Sequence, residues 1–408
     1  MAGLRTTEPL RRELDSALPE RPFRVTFWDG SELPSTNGNG APTLHVRSPR
    51  ALAHALRAPG QLGIGRAYAT GELEPDDLDA FLLMLRRYQP PPIDRAGQLK
   101  LALAAARAAG PMLPPPVPEV EQRPHGKRHS PARDKRSVQF HYDVSNEFFK
   151  LFLDESLTYS CAFFSLDDSS LEAAQFAKLE LVCKKLRLER GMRVLDVGCG
   201  WGSFAMHAAR EHGVDVVGIT LSEGQAELAR KRVAEAGLAD RVEIRLQDYR
   251  DLTGEFDAVA SIGMVEHVGS NQIDEYMRVC ARVLKPGAQF LNHGIARLRV
   301  GEAEAGPFSE RYVFPDAAPL HVSRIITAME RAGLETHHVE DFRLDYAETL
   351  RHWARRLDEH LPEAERIAGP ERLRVWRLYL RAARQGFETG FTSVFQVRCS
   401  RPIKVSTR

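Results

Sequence analysis

Long apolar runs, paired cysteines and a strong charge of either sign are all missing from this 408-residue sequence. No stretch reaches the ~18 apolar residues that a membrane-spanning helix needs, and no signal-peptide-like apolar segment follows Met1. The expectation is a cytoplasmic chain that meets a membrane from the side. Cys161, Cys183, Cys199, Cys280 and Cys399 lack C-x-x-C spacing, which argues against a zinc cluster or a disulfide framework. No histidine spacing demands a metal either, so none is expected. A net charge of +1 provides no global attraction to nucleic acid.

What is present is an ordinary globular composition, 43% hydrophobic and 27% charged, on a chain long enough for two domains. Its most informative stretch is RVLDVGCGWGSF, Arg193 to Phe204, which reads as a buried strand entering a glycine-rich turn and then a helix. Gly198, Gly200 and Gly202 let a ligand approach the backbone, and the helix start presents free N–H groups there. A nicotinamide fingerprint would need G-x-G-x-x-G/A and an acid ending the next strand. Here the second strand, Val214 to Ile219, ends in Thr220, followed by Ser222, Glu223 and Gln225. After a third strand, Val242 to Leu246, Gln247 and Asp248 can hydrogen-bond the amino edge of an adenine. Together these features resemble a class I S-adenosylmethionine-dependent methyltransferase. The resemblance implies that Asp196, the glycine turn, the end of strand two and the acid after strand three surround the cofactor.

The chain divides by composition. Residues 1–115 read as a small α+β domain, with a strand in RPFRVTFWDG, a helix near Pro49 to Leu56 and another within PDDLDAFLLMLRRY, Pro75 to Tyr88. The run Phe81 to Leu85 reads as a buried helix face in preference to a lipid-facing one. Residues 116–137 read as a proline-rich basic linker. Its Arg123, Lys127, Arg128, Arg133, Lys135 and Arg136 can each contribute at most ~1 kcal/mol near an anionic bilayer, and a merely solvated linker is the equal alternative. From 138 onward strands and helices alternate, with further strands at Asp257 to Ser261, Gln289 to His293 and Ser393 to Ser400. The expected fold is α/β, a doubly wound Rossmann-like sheet of the class I methyltransferase type, with the smaller N-terminal domain beside it in sequence. An insertion from about Gly301 to Glu365 is expected over the carboxyl ends of the strands, followed by a helix from Arg372 to Ala383.

The order HYDVSN, YSCAFF, VLDVGCGWG, QDYRDL, GMVEHVG and VFQVRCSRP resembles the cyclopropane-fatty-acyl-phospholipid synthase family, which includes the mycolic acid cyclopropane synthases. The resemblance implies methyl transfer from S-adenosylmethionine to the cis double bond of a phospholipid acyl chain. The resulting carbocation-like centre must be shielded from water and deprotonated to close a cyclopropane. It further implies a bound bicarbonate held by Cys161, Glu266, His293, the backbone of Ile295, and Tyr346. Tyr159, Ser160, Asp196, Gly198 and Gly200 would hold the cofactor's methionine end, Thr220, Ser222 and Gln225 its ribose, and Gln247 and Asp248 its adenine. His293 is expected to supply or relay a proton near neutral pH. Phe140, Tyr142 and Tyr312 are candidates to face a cation, with core packing the simpler role for each. Family members resemble homodimers working at the inner face of the cell membrane. A methylene-branched product stays open, as does a catalytically silent binding protein. A nucleic-acid amino-methyltransferase would carry D/N-P-P-Y/F where this chain has GMVEHVG.

Overall fold

The computed structural model describes residues 6–403 apart from 39, 111–114, 124–125, 143, 165–169, 302–305 and 318, and only the backbone of 138 and 142. The chain forms two compact units. One comprises Met1–Gln122, Gly306–Val313 and Gly369–Ala382, and the other Arg123–Ala305, Phe314–Ala368 and Ala383–Arg408.

The first unit carries β1 (Arg24–Phe27), β2 (Glu32–Leu33), β3 (Thr43–Val46) and β4 (Leu73–Pro75) in the order β2-β1-β3-β4. Alternation explains β1: Phe23, Val25 and Phe27 are buried, while Arg24 and Thr26 between them are half-buried. The helix Leu78–Arg87 starts where the Asp77 carboxylate accepts the N–H of Ala80 at 2.9 Å. The apolar run on this helix is divided and not simply buried. Phe81 and Met84 pack on the core, whereas Leu83 and Leu85 are exposed.

Two segments distant in sequence belong to this unit through ion pairs and hydrogen bonds. Arg66 makes a bidentate pair with Glu121 at 2.6 and 2.7 Å, and the Tyr312 hydroxyl donates to the same carboxylate at 3.0 Å. Arg374 donates to the Tyr68 carbonyl at 2.7 Å, and Arg381 pairs with Asp79 at 2.6 Å. Tyr312 therefore serves the first unit's buried network. The side chain of Tyr142 lies outside the described residues.

The second unit holds β5 (Arg193–Val197), β6 (Asp215–Thr220), β7 (Val242–Leu246), β8 (Phe256–Ile262), β9 (Leu284–Ala296), β10 (Glu335–Asp341) and β11 (Ser393–Ser400). Their order is β10-β11-β9-β8-β5-β6-β7, with β11 antiparallel to both neighbours and the run from β9 to β7 parallel. This is the doubly wound sheet expected from the sequence. Its central strands are apolar at nearly every position because both faces are covered: Leu195 and Val197 enter one core cluster, Val194 and Val216 the other. The order in which strands are added reverses between β5 and β8, which opens a crevice at their carboxyl ends.

Two differences from the sequence reading stand out. Residues 301–365 are not one insertion, since the helix Val322–Arg331 and β10 are part of the sheet layer system. The stretch read as linker is helical at its end, within Pro131–Tyr142. Its Arg133 is held by Asp316 at 2.6 Å, with Arg128 on the same carboxylate at 3.2 Å, and Lys135 pairs with Glu223 at 3.0 Å. Those pairings reduce the free positive charge the segment offers.

Candidate active site

The crevice forms a cleft at the end of β5, the place where small-molecule pockets form in such sheets. Gly198 and Gly200 have φ of +82° and +55°, and Gly202 starts the helix Ser203–His212. A Cβ on Gly198 would lie 3.4 Å from the Met264 side chain, so the turn keeps its backbone bare toward the cleft. The structure brings Tyr159, Ser160, Asp196, Gly198, Gly200, Thr220, Gln225 and Gln247 together in the lining of this space.

Local bonding holds several of these in place. The Thr220 hydroxyl donates to Gln225 Oε1 at 2.8 Å, leaving that amide's N–H groups free of this contact. Gln247 donates from Nε2 to the Asp251 carbonyl at 2.9 Å. Two expected cofactor residues are not in the lining. Ser222 caps the helix Glu223–Glu235 by accepting the Gln225 N–H at 3.2 Å. Asp248 accepts from the Arg250 N–H at 2.9 Å and pairs with its guanidinium at 2.8 Å. A capping Ser or Asp after a strand looks the same in sequence as a ligand-binding one.

The floor of the cleft is charged. Asp196 is buried with Oδ2 unpartnered among the described residues, and burial raises its carboxyl to about 7 against the opposing pull of Lys178. Lys178 is buried too, donates to Ser160 Oγ at 2.8 Å, and is lowered by burial to about 8. The sequence reading missed Lys178, one of several charged residues on the helix Leu171–Leu186, whose meaning comes from its partner Ser160. It also missed Tyr249, Met264 and His267, which line the same space.

Beside the cleft lies a second set of buried groups. Glu266 occupies the short turn after β8, and its carboxylate lies against the main chain of Gly294 and Ile295 in β9. Burial raises its carboxyl to about 7, and Oε2 has no partner among the described residues. His293, in β9, is 1% exposed, with Nδ1 3.0 Å from Gln396 Nε2 and Nε2 buried without a partner among the described residues. Burial, reinforced by Lys178 and Lys185, holds its pKa well below the usual range. That environment favours a neutral imidazole, which can still relay a proton, and Glu266, raised by burial, can hold one.

Phe342 joins the remaining members. The Cys161 thiol lies 3.7 Å from its carbonyl, the ring of His293 stacks on its ring at 6.1 Å, and Tyr346 donates its N–H to its carbonyl at 3.0 Å. Cys161 is fully buried with its pKa pushed well above the ordinary thiol value by burial, so it is a neutral donor and not a nucleophile. Tyr346 lies in the first turn of the helix Arg343–Glu359, its ring 4.5 Å from Phe387 and 6.0 Å from Trp353. Trp353 stacks on Tyr159 at 5.1 Å, which links this set to the cleft wall. Trp201 both lines the cleft and packs 5.0 Å from Phe149.

Residues 129–397 match the family described as mycolic acid cyclopropane synthetase. The chain belongs to this family. It is 40% identical, over 92% of its length and 90% of the other's, to the "Probable fatty acid methyltransferase Rv3720" of Mycobacterium tuberculosis. It is 34% identical to the cyclopropane-fatty-acyl-phospholipid synthase of Escherichia coli K12, covering 91% of each chain. Mycolic acid cyclopropane synthase CmaA1, solved in complex with SAH and CTAB, superposes with a TM-score of 0.62 and 32% identity over 65% of this chain and 98% of that one.

As a member of the mycolic acid cyclopropane synthetase family the protein is an S-adenosylmethionine-dependent C-methyltransferase. The cleft suits that cofactor on its own terms: a bare glycine turn against a helix start, and in its lining a buried Asp196 whose Oδ2 has no partner among the described residues. Elsewhere Cys183, His207 and His212 bring donor atoms within 4.8 Å of one another, a grouping the sequence spacing did not indicate. Both imidazoles already bond the Glu180 carboxylate, at 3.2 and 3.1 Å.

Proposed function

We propose that the protein adds a methylene group from S-adenosylmethionine across the cis double bond of an unsaturated phospholipid acyl chain, closing a cyclopropane. The observation that carries this reading is the pair of buried, unpartnered polar atoms, Glu266 Oε2 and His293 Nε2, on neighbouring strand ends beside the cofactor cleft. Simple methyl transfer to nitrogen or oxygen would not need such a shielded set. Deprotonating a carbon in an apolar site does.

The cofactor would be held by Tyr159, Ser160, Asp196, Gly198, Gly200, Thr220, Gln225 and Gln247. When bound, S-adenosylmethionine supplies an electrophilic methyl group, and bicarbonate supplies a compact base that leaves room for an acyl chain. The bicarbonate would be held by Glu266, His293, Cys161, Tyr346 and the backbone of Ile295. Near neutral pH Glu266 carries a proton part of the time, so a carboxyl group and an anion can share one site without full charge repulsion. The neutral His293 and the Cys161 thiol add hydrogen-bond donors and no net charge. Burial of all three keeps water from the reacting carbon.

A methylene-branched product is the second reading, favoured by the 40% identity to a protein named as a fatty acid methyltransferase. We place the enzyme on the cytoplasmic face of the membrane as a peripheral homodimer. No helix among the described residues is long and apolar enough to cross a bilayer, and Leu83, Leu85, Leu99 and Leu103 stand exposed on the first unit. The test is chromatographic mass spectrometry of fatty acids after incubation with S-adenosylmethionine and vesicles of cis-unsaturated phospholipid. A gain of one CH₂ with the alkene consumed supports the cyclopropane. The same gain with an alkene retained selects the branched product, and no gain rejects both.

A further inference from the structure

The antiparallel register across β10, β11 and β9 sets Glu340 opposite Gln396 and Gln396 opposite His293, so the three form one row on a single face of the sheet. Lys185, from the last turn of the helix Leu171–Leu186, reaches this row. It pairs with Glu340 and donates from Nζ to Gln396 Oε1 at 2.6 Å. An ammonium has only donors, so the atom Gln396 turns toward Lys185 must be its carbonyl oxygen. The amide nitrogen therefore faces His293, 3.0 Å from Nδ1. That nitrogen also has only donors, so Nδ1 accepts. In a neutral imidazole the proton then resides on Nε2, the buried atom without a partner among the described residues.

Packing restricts the ring as well as the proton. Gln396 is fully buried, the Phe342 ring stacks on His293 with an interplanar angle of 24°, and Lys185 Nζ lies 5.0 Å from the centroid of that same Phe342 ring. We propose that Gln396, oriented by Lys185, is a positioning residue that fixes His293 as its Nε2–H tautomer and makes it a permanent hydrogen-bond donor into the site. Neither Gln396 nor Lys185 touches the reacting atoms. Their role is to deny His293 the other tautomer, in which it would present a lone pair where a donor is needed. The catalytic consequence rests on the reading of His293 given above, whereas the tautomer itself does not.

The test is two-bond proton–nitrogen NMR on ¹⁵N-histidine-labelled full-length protein, with the His293 signals assigned through His293→Gln. Wild type is expected to show a protonated Nε2 and an unprotonated Nδ1. Gln396→Glu offers Nδ1 an acceptor and is expected to move a proton there, with turnover falling on the order of 10–100-fold and KM for S-adenosylmethionine unchanged. Lys185→Met frees the Gln396 amide to turn and is expected to give a mixture of tautomers and a smaller loss, which decides the matter if the Gln396 variant does not fold. A wild-type Nδ1–H tautomer overturns the proposal. So does a Gln396→Glu protein whose tautomer changes while turnover does not. Full turnover in His293→Gln would instead remove His293 from the reaction whatever its tautomer, and would contradict the underlying reading.

Discussion

The carboxylate of Glu266 lies against the main chain of Gly294 and Ile295, immediately beyond His293 on β9. The turn after β8 thereby brings a buried acid beside the strand that carries a buried neutral base. Glu266→Gln keeps the size of the side chain and removes its ability to exchange a proton. Calorimetry should find S-adenosylmethionine binding nearly unchanged, while turnover on lipid falls on the order of 100-fold or more. Wild-type turnover, or lost cofactor binding, would contradict the assignment.

The same acid makes stability depend on pH. Burial raises Glu266 from its ordinary 4.5 to about 7, so between those values the folded protein binds more protons than the unfolded chain. Its stabilising share is complete below pH 4.5 and disappears as pH rises through 7, a change of up to about 3 kcal/mol. Melting temperatures followed from pH 5 to 8 should therefore fall more steeply for wild type than for Glu266→Gln. Parallel curves would show that the carboxyl is not raised.

Gly198→Ala tests the cofactor turn. The residue sits at φ +82° and its new Cβ would meet Met264 at 3.4 Å. Left-handed backbone costs a non-glycine residue about 1–2 kcal/mol, and relief of that strain would move the turn away from its ligand. The variant should lose stability by about that amount and bind S-adenosylmethionine at least ~10-fold more weakly. Unchanged affinity in a titration would place the cofactor elsewhere.

The first unit offers a separate check. Arg66→Met leaves the Glu121 carboxylate, whose side chain is 0% exposed, without its bidentate partner. Removing one partner of a buried pair costs about 3–5 kcal/mol, partly offset here by the Tyr312 hydroxyl. Denaturant titration should show a loss of at least ~2 kcal/mol, and a neutral result would mean that the carboxyl is solvated or protonated.

What was legible in the sequence follows from the physics of each element. The strand–turn–helix at Arg193 to Phe204 was visible because a strand buried on both faces is continuously apolar and its turn needs glycine. β10, ETHHVED, was not, because an exposed edge strand has no apolar alternation to betray it. Nor was the membership of 306–313 and 369–382 in the first unit, which rests on Tyr312–Glu121 and Arg374–Tyr68 contacts between residues far apart in the chain. In the site, residues in distinctive motifs, such as Glu266 and His293, could be read directly. Lys178, Lys185 and Gln396 could not, since each is a polar residue on an otherwise ordinary helix or strand and its meaning comes from a partner across the fold. Ser222 and Asp248 carry capping bonds, and sequence does not separate that role from ligand binding because both use the same side chains.

The central claim, that a carbon added to the lipid is then deprotonated by the buried set around Glu266, is tested most directly with S-adenosylmethionine carrying a fully deuterated methyl group. Mass spectrometry of the product acyl chains should find the added carbon with two of its three deuteriums, the third lost to solvent. Retention of all three would mean simple methyl transfer with no deprotonation of that carbon, and would contradict the account.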